Sequence, residues 1–98
     1  MHVAAIRVEL RIRDMHSLKE KRRVVKGMLS DIGRAHPVAV AEVDHQDLWQ
    51  RTTLGIAAVS SSAGHVERML RAVVNDIDHR DDVEVLGTTT SYLEAADR

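Results

Sequence analysis

Residues 4–13 alternate without a break: Ala4, Ile6, Val8, Leu10 and Ile12 fall on one side, and Arg7, Glu9, Arg11 and Arg13 on the other. A period of two with one apolar side predicts a half-buried strand. The period then lengthens to that of a helix, with Leu18, Val25, Met28, Leu29 and Ile32 on one stripe. Ser17 followed three residues later by Glu20 is a capping box that marks the start of this helix. Pro37, the only proline, ends it near Ala35, because the residue before a proline is pushed out of helical geometry. Residues 38–43 predict a second strand built from Val and Ala, 44–50 a turn region, and 51–60 a third strand. In that third strand Leu54, Ile56 and Ala58 share one face, while Gly55, Ala57 and Val59 leave the other without charge, which predicts cover on both faces. A serine-rich loop with several possible caps leads into a second helix over 65–79, striped by Val66, Met69, Leu70, Val73 and Ile77. Residues 83–93 predict a last strand, weakened at Gly87, and 94–98 a loose tail.

The resulting order, β-α-β-β-α-β, predicts an α+β fold. It is the ferredoxin-like sandwich, a four-stranded antiparallel sheet with two helices on one face, in a single domain spanning residues 1–98. Composition refines this in one respect. With no Phe, and Trp49 and Tyr92 as the only large aromatics, the core must be aliphatic. The absence of cysteine removes disulfides and thiolate chemistry. The opening residues meet charge too early for a signal-peptide core, and no apolar run approaches membrane-spanning length. A cytoplasmic protein with no membrane contact is therefore expected.

Charge changes the picture more. Residues 1–36 hold nine Lys/Arg against four Asp/Glu, an excess of +5, so the rest of the chain carries −6 of the net −1. Much of the positive excess lies on the first helix, where Lys19, Arg22, Arg23 and Lys26 are spaced i, i+3, i+4 and i+7 as a basic ridge, helped by Lys21 and continued by Arg34. Clustered cations with reach are what phosphate neutralisation needs, so these five, Lys19, Lys21, Arg22, Arg23 and Lys26, are the candidate nucleic-acid-binding residues. The competing account is a solvated helix face, which most charge runs are. Trp49, at the base of the turn between strands two and three, is a candidate interface residue, for a partner subunit first and a nucleobase second, or it simply packs. Ala57 and Val59 join it as candidate interface positions, because an open sheet face should be more polar.

Other chemistry fares worse. Asp44, His45 and Asp47 are better explained as turn formers than as metal ligands, and the remaining histidines show no paired spacing. No cofactor is expected. RNA-binding sheets of this topology display aromatics on the open face, and here Arg7, Glu9, Arg11 and Arg13 stand there. Acylphosphatases share the topology but need a glycine-containing phosphate loop, and Arg13-Asp14-Met15-His16 has no glycine. Ser60, Ser61 and Ser62 have neither a nucleophile-elbow context nor an evident base. No catalytic constellation stands out, so a non-enzymatic role is expected.

Two stretches, Ser17-Leu18-Lys19-Glu20-Lys21-Arg22 and Glu42-Val43-Asp44-His45-Gln46-Asp47-Leu48-Trp49-Gln50-Arg51, resemble the YlxP family of small bacterial proteins of unknown function. The resemblance extends through Leu54 to Ser60 and departs at Thr52-Thr53, where a smaller apolar residue is expected. It implies a ferredoxin-like fold, a cytoplasmic bacterial protein and no catalytic residue. It also implies genes commonly placed beside those for transcription elongation, translation initiation and ribosome maturation factors. Together with the basic ridge this predicts an accessory protein of the translation or RNA machinery that contacts RNA or a ribosomal particle. The alternative is a structural or regulatory homo-oligomer acting through protein contacts, without nucleic acid.

Overall fold

A computed structural model describes residues 1–94. The elements follow as β1 (His2–Ile12), α1 (Leu18–Ala35), β2 (Ala39–Asp44), β3 (Arg51–Ser60), α2 (Ala63–Asp78) and β4 (Val83–Glu94). The sheet order is β2-β3-β1-β4, every neighbouring pair antiparallel, which is the ferredoxin-like arrangement. α1 packs over the β2 edge, and α2 lies across β1 and β3.

The alternation of β1 sends Ala4, Ile6, Val8, Leu10 and Ile12 into the core, opposite Ala58, Ile56 and Leu54 of β3. Val25, Met28 and Ile32 of α1 and Val66, Met69, Leu70, Val73 and Ile77 of α2 close that core from above. Each such side chain contributes about 1.5–3 kcal/mol by leaving water. The core is aliphatic throughout, and neither Trp49 nor Tyr92 belongs to it.

Boundaries differ from expectation where side chains other than apolar ones decide them. α2 begins two residues early, at Ala63, because Ser62 is the serine that caps it, its Oγ accepting the His65 N–H at 3.3 Å. β1 stops at Ile12, where Asp14 turns the chain with φ 56°. β4 runs on through Glu94, and the rest of the expected tail, residues 95–98, lies outside the described residues. Near Gly87 the ladder slips: Glu9 pairs with Gly87 and Leu10 with Val85, leaving Leu86 as a bulge.

One expectation fails on a larger scale. β3 is covered along its helix side, but on the other side cover is confined to its first half, where Thr53 is fully buried. On the other side of the sheet nothing among the described residues covers Val59, which is 60% exposed, and Ala57 is half-buried among its neighbours. Gly55, next to Thr53 on that face, is sheltered because the bulged Val43 of β2 folds over it. A Cβ at Gly55 would come within 2.9 Å of Val43 Cγ1.

Candidate nucleic-acid interface

α1 starts where the capping residues place it. Ser17 Oγ accepts the Glu20 N–H at 3.1 Å, and the Glu20 carboxylate reaches back to the His16 N–H at 3.2 Å. The box is thus closed one residue upstream of its usual partner. At about 100° per residue, Asp31 and Ala35 fall on the flank of α1 that faces α2, where they line a crevice with Asp76, Ile77 and Arg80. Lys19, Arg22, Arg23 and Lys26 fall about 90–170° around the helix from the buried stripe, on the outward face of α1, and all four are exposed. None of them has an ion-pair partner among the described residues. Arg34 does not continue the ridge, because Asp31 holds it at 2.8 Å.

Lys21 is not part of the ridge either. Its side chain is fully buried, on the same stripe as Val25, Met28 and Ile32. The ammonium group has three N–H bonds and finds three acceptors: Glu42 Oε2 at 2.7 Å, the His45 carbonyl at 2.8 Å and the Gln46 carbonyl at 3.1 Å. Thr52 donates its hydroxyl to the same Glu42 oxygen. The candidate phosphate contact at position 21 is therefore corrected. A lysine whose donors are all spent inside the protein offers nothing to a phosphate. Its spacing carried the signal, since Lys21 stands four residues before Val25 and seven before Met28.

What Lys21 holds is the loop of residues 45–50. His45 has a left-handed backbone (φ 61°), steadied by the Asp44 carboxylate on its N–H and by Lys21 on its carbonyl. Leu48 N–H donates to the His45 carbonyl, and Ile12 N–H donates to the Gln50 carbonyl at 2.8 Å. The far side of the loop rests on Glu9. That carboxylate takes the Thr53 hydroxyl at 2.6 Å and lies 3.5 to 3.8 Å from Arg7, His45 and Arg51. Thr52 and Thr53, the departure from the expected family pattern, are both fully buried and both bonded to a carboxylate. Asp44 and His45 turn toward Arg7 and Glu9, and no group of three His, Asp or Glu among the described residues converges on a common point.

Trp49 stands on this anchored loop, 48% exposed, between two open hollows. The larger, about 660 Å³, runs to the end of β1 and the β1–α1 turn, past Arg11, Arg13 and His16. Arg11 is paired with Glu84 at 3.0 Å, whereas Arg13 has no ion-pair partner among the described residues. Trp49 does not share a surface with Ala57 and Val59. Trp49 precedes the start of β3 at Arg51, and Ala57 and Val59 lie six and eight residues along that strand, about 20–26 Å at strand rise. The three candidate interface residues thus belong to opposite ends of β3.

The molecule is, by fold and site, a ferredoxin-like α+β protein in which a buried lysine joins a helix start to a tryptophan-bearing hairpin loop. Residues 3–90 match the family described as a protein of unknown function, DUF503, and the chain belongs to that family. It is 43% identical over 82 residues to the "Uncharacterized protein YlxP" of Bacillus subtilis (strain 168), covering 84% of this chain and 89% of that protein. The two stretches that carry the resemblance, one from 17 to 22 and one from 42 to 51, meet at Lys21.

Proposed function

We propose that this protein is a non-enzymatic accessory factor of the translation or RNA machinery, working in the cytoplasm and contacting RNA or a ribosomal particle through Lys19, Arg22, Arg23 and Lys26. The observation that carries the reading is that these four cations share one exposed face of α1 and have no ion-pair partner among the described residues. Of the other cations in residues 1–36, Arg7, Arg11, Lys21 and Arg34 are ion-paired, and only Arg13 has no ion-pair partner among the described residues. The ridge spans eight residues of helix, about 10 Å from first to last. It contacts phosphates through charge with little base preference. Neutralising about four phosphates gives a slope near −3 in log affinity against log salt on a single strand. The test is co-sedimentation with ribosomal particles at low and high salt, comparing wild type with a variant carrying Lys19→Glu, Arg23→Glu and Lys26→Glu. Wild type is expected in the pellet at low salt and the variant in the supernatant. Equal pelleting of both removes the ridge from the account.

A second reading has its own observation. Val59 at 60% and Leu93 at 62% exposure lie with Val3, Ala5 and Ala57 on the open side of the sheet. A second copy covering this face would make the protein a structural or regulatory homo-oligomer.

A further inference from the structure

We propose that the ridge's ligand is single-stranded RNA and that Trp49 stacks on one of its bases. The inference rests on the phosphate-binding reading of the ridge and deepens it. A tryptophan is normally retained for its buried area, but Trp49 is half exposed and lies outside the core cluster. It also stands at the far end of β3 from the apolar sheet face. Packing and the sheet-face interface therefore do not explain it.

Its surroundings fit a nucleotide. The hollow beside it leads past Arg13, which has no ion-pair partner among the described residues, to His16, two residues before α1. Lys19 follows in the first helical turn, and the ridge continues along the outward face of α1, whose first turns Lys21 ties to the Trp49 loop. Asp14 is the acid on the wall of that hollow, and Asp47 lies on the other side of Trp49. The cations of the first 36 residues without an ion-pair partner among the described residues are Arg13, Lys19, Arg22, Arg23 and Lys26. In chain order they lead from Arg13, in the hollow beside Trp49, onto the outward face of α1. A cationic track with an aromatic platform binds single strands, whose unstacked bases present a free face, whereas a duplex keeps its bases stacked. The loop is set before any ligand arrives, because Lys21, Asp44 and Ile12 fix its backbone.

Trp49 is the only tryptophan, so its fluorescence has one source. The experiment titrates the whole protein at low salt with a labelled ten-nucleotide RNA, single-stranded or annealed to its complement, reading tryptophan emission and label anisotropy together. The single strand is expected to quench Trp49, and the duplex to leave it unchanged. Trp49→Ala is expected to weaken single-strand binding about 5- to 150-fold, leave duplex binding alone and keep the wild-type circular dichroism. Trp49→Phe is expected to recover most of the loss. Binding without quenching, with the affinity of Trp49→Ala equal to wild type, overturns the stacking role and leaves the ridge standing. Failure of wild type to bind either RNA overturns the ridge reading itself. If the emission shifts instead with protein concentration in the absence of RNA, Trp49 serves a contact between copies and the proposal is wrong.

Discussion

Lys21 is the residue on which the two halves of the site depend. A buried ion pair is weak evidence of net stability, because desolvating both charges offsets most of their attraction. Removing one partner is a different matter. Lys21→Met leaves the Glu42 carboxylate, 16% exposed, with only the Thr52 hydroxyl, and strips two carbonyls of their donor. A loss of about 3–5 kcal/mol is expected, measured by urea unfolding. Lys21→Met with Glu42→Leu should recover a large part of it, since an apolar pair of similar volume needs no counter-charge. If the double variant is no better than the single, the loss comes from the loop carbonyls and the ion pair is incidental. The sequence holds enough to place this lysine. A cation at a stripe position, and Glu42 two residues after the inward-facing Val40, both break the apolar pattern where the pattern itself says inside. Lys21 shares its charge with Lys19, Arg22, Arg23 and Lys26 but stands about 100–160° around the helix from them.

Between elements, the counterpart of that contact lies at the other end of α1. Arg80, in the α2–β4 turn, holds Asp82 at 2.9 Å and reaches Asp31 of α1 at 3.1 Å. These hydrogen bonds keep both carboxyls below the usual carboxylate range: Arg80 acts first and Arg34 second on Asp31, and Arg80 acts on Asp82. Asp82 in turn raises the guanidinium. A carboxylate with a depressed native pKa stabilises the fold above its unfolded value, about 3.9, and loses that contribution as pH falls through the native value. Arg80→Gln should therefore be less stable than wild type at pH 5, with the gap in urea midpoint narrowing toward pH 3. A gap that stays constant means Arg80 acts through packing rather than charge. Elements with one apolar period were legible in the sequence to within a few residues, β3 to the residue. The Arg80 contact was not, because an exposed Asp on a helix and an Arg 49 residues later carry no periodic signal.

At the scale of the whole molecule, the charge asymmetry of the chain resolves into something narrower than a basic half and an acidic half. Internal pairing absorbs Arg7, Arg11, Lys21 and Arg34, and what remains free in the basic part lies between residues 13 and 26. The open sheet face is likewise divided along the strands. Arg7, Glu9, Arg11 and Arg51 occupy the end near Trp49, while Val3, Ala5, Ala57, Val59 and Leu93 occupy the other. Alternation alone told which residues share that face, but not whether anything covers it, since cover depends on a partner and leaves no period. The division gives the second reading a specific form. Two copies meeting through the apolar end would bury Val59 against Val59 or its neighbours and leave both ridges and both Trp49 loops free, because these lie on other surfaces. A glutamate in that contact would bring two like charges together out of water. Val59→Glu should therefore convert a dimer to a monomer in light scattering at micromolar concentration, with little effect on folding, because position 59 is solvent-facing within the subunit. The same variant should lower RNA affinity only where the RNA is long enough to reach two ridges, since linking two sites acts through effective concentration. A wild-type monomer at that concentration, or a dimer indifferent to Val59→Glu, would leave the apolar end of the sheet as an exposed face with no role in assembly.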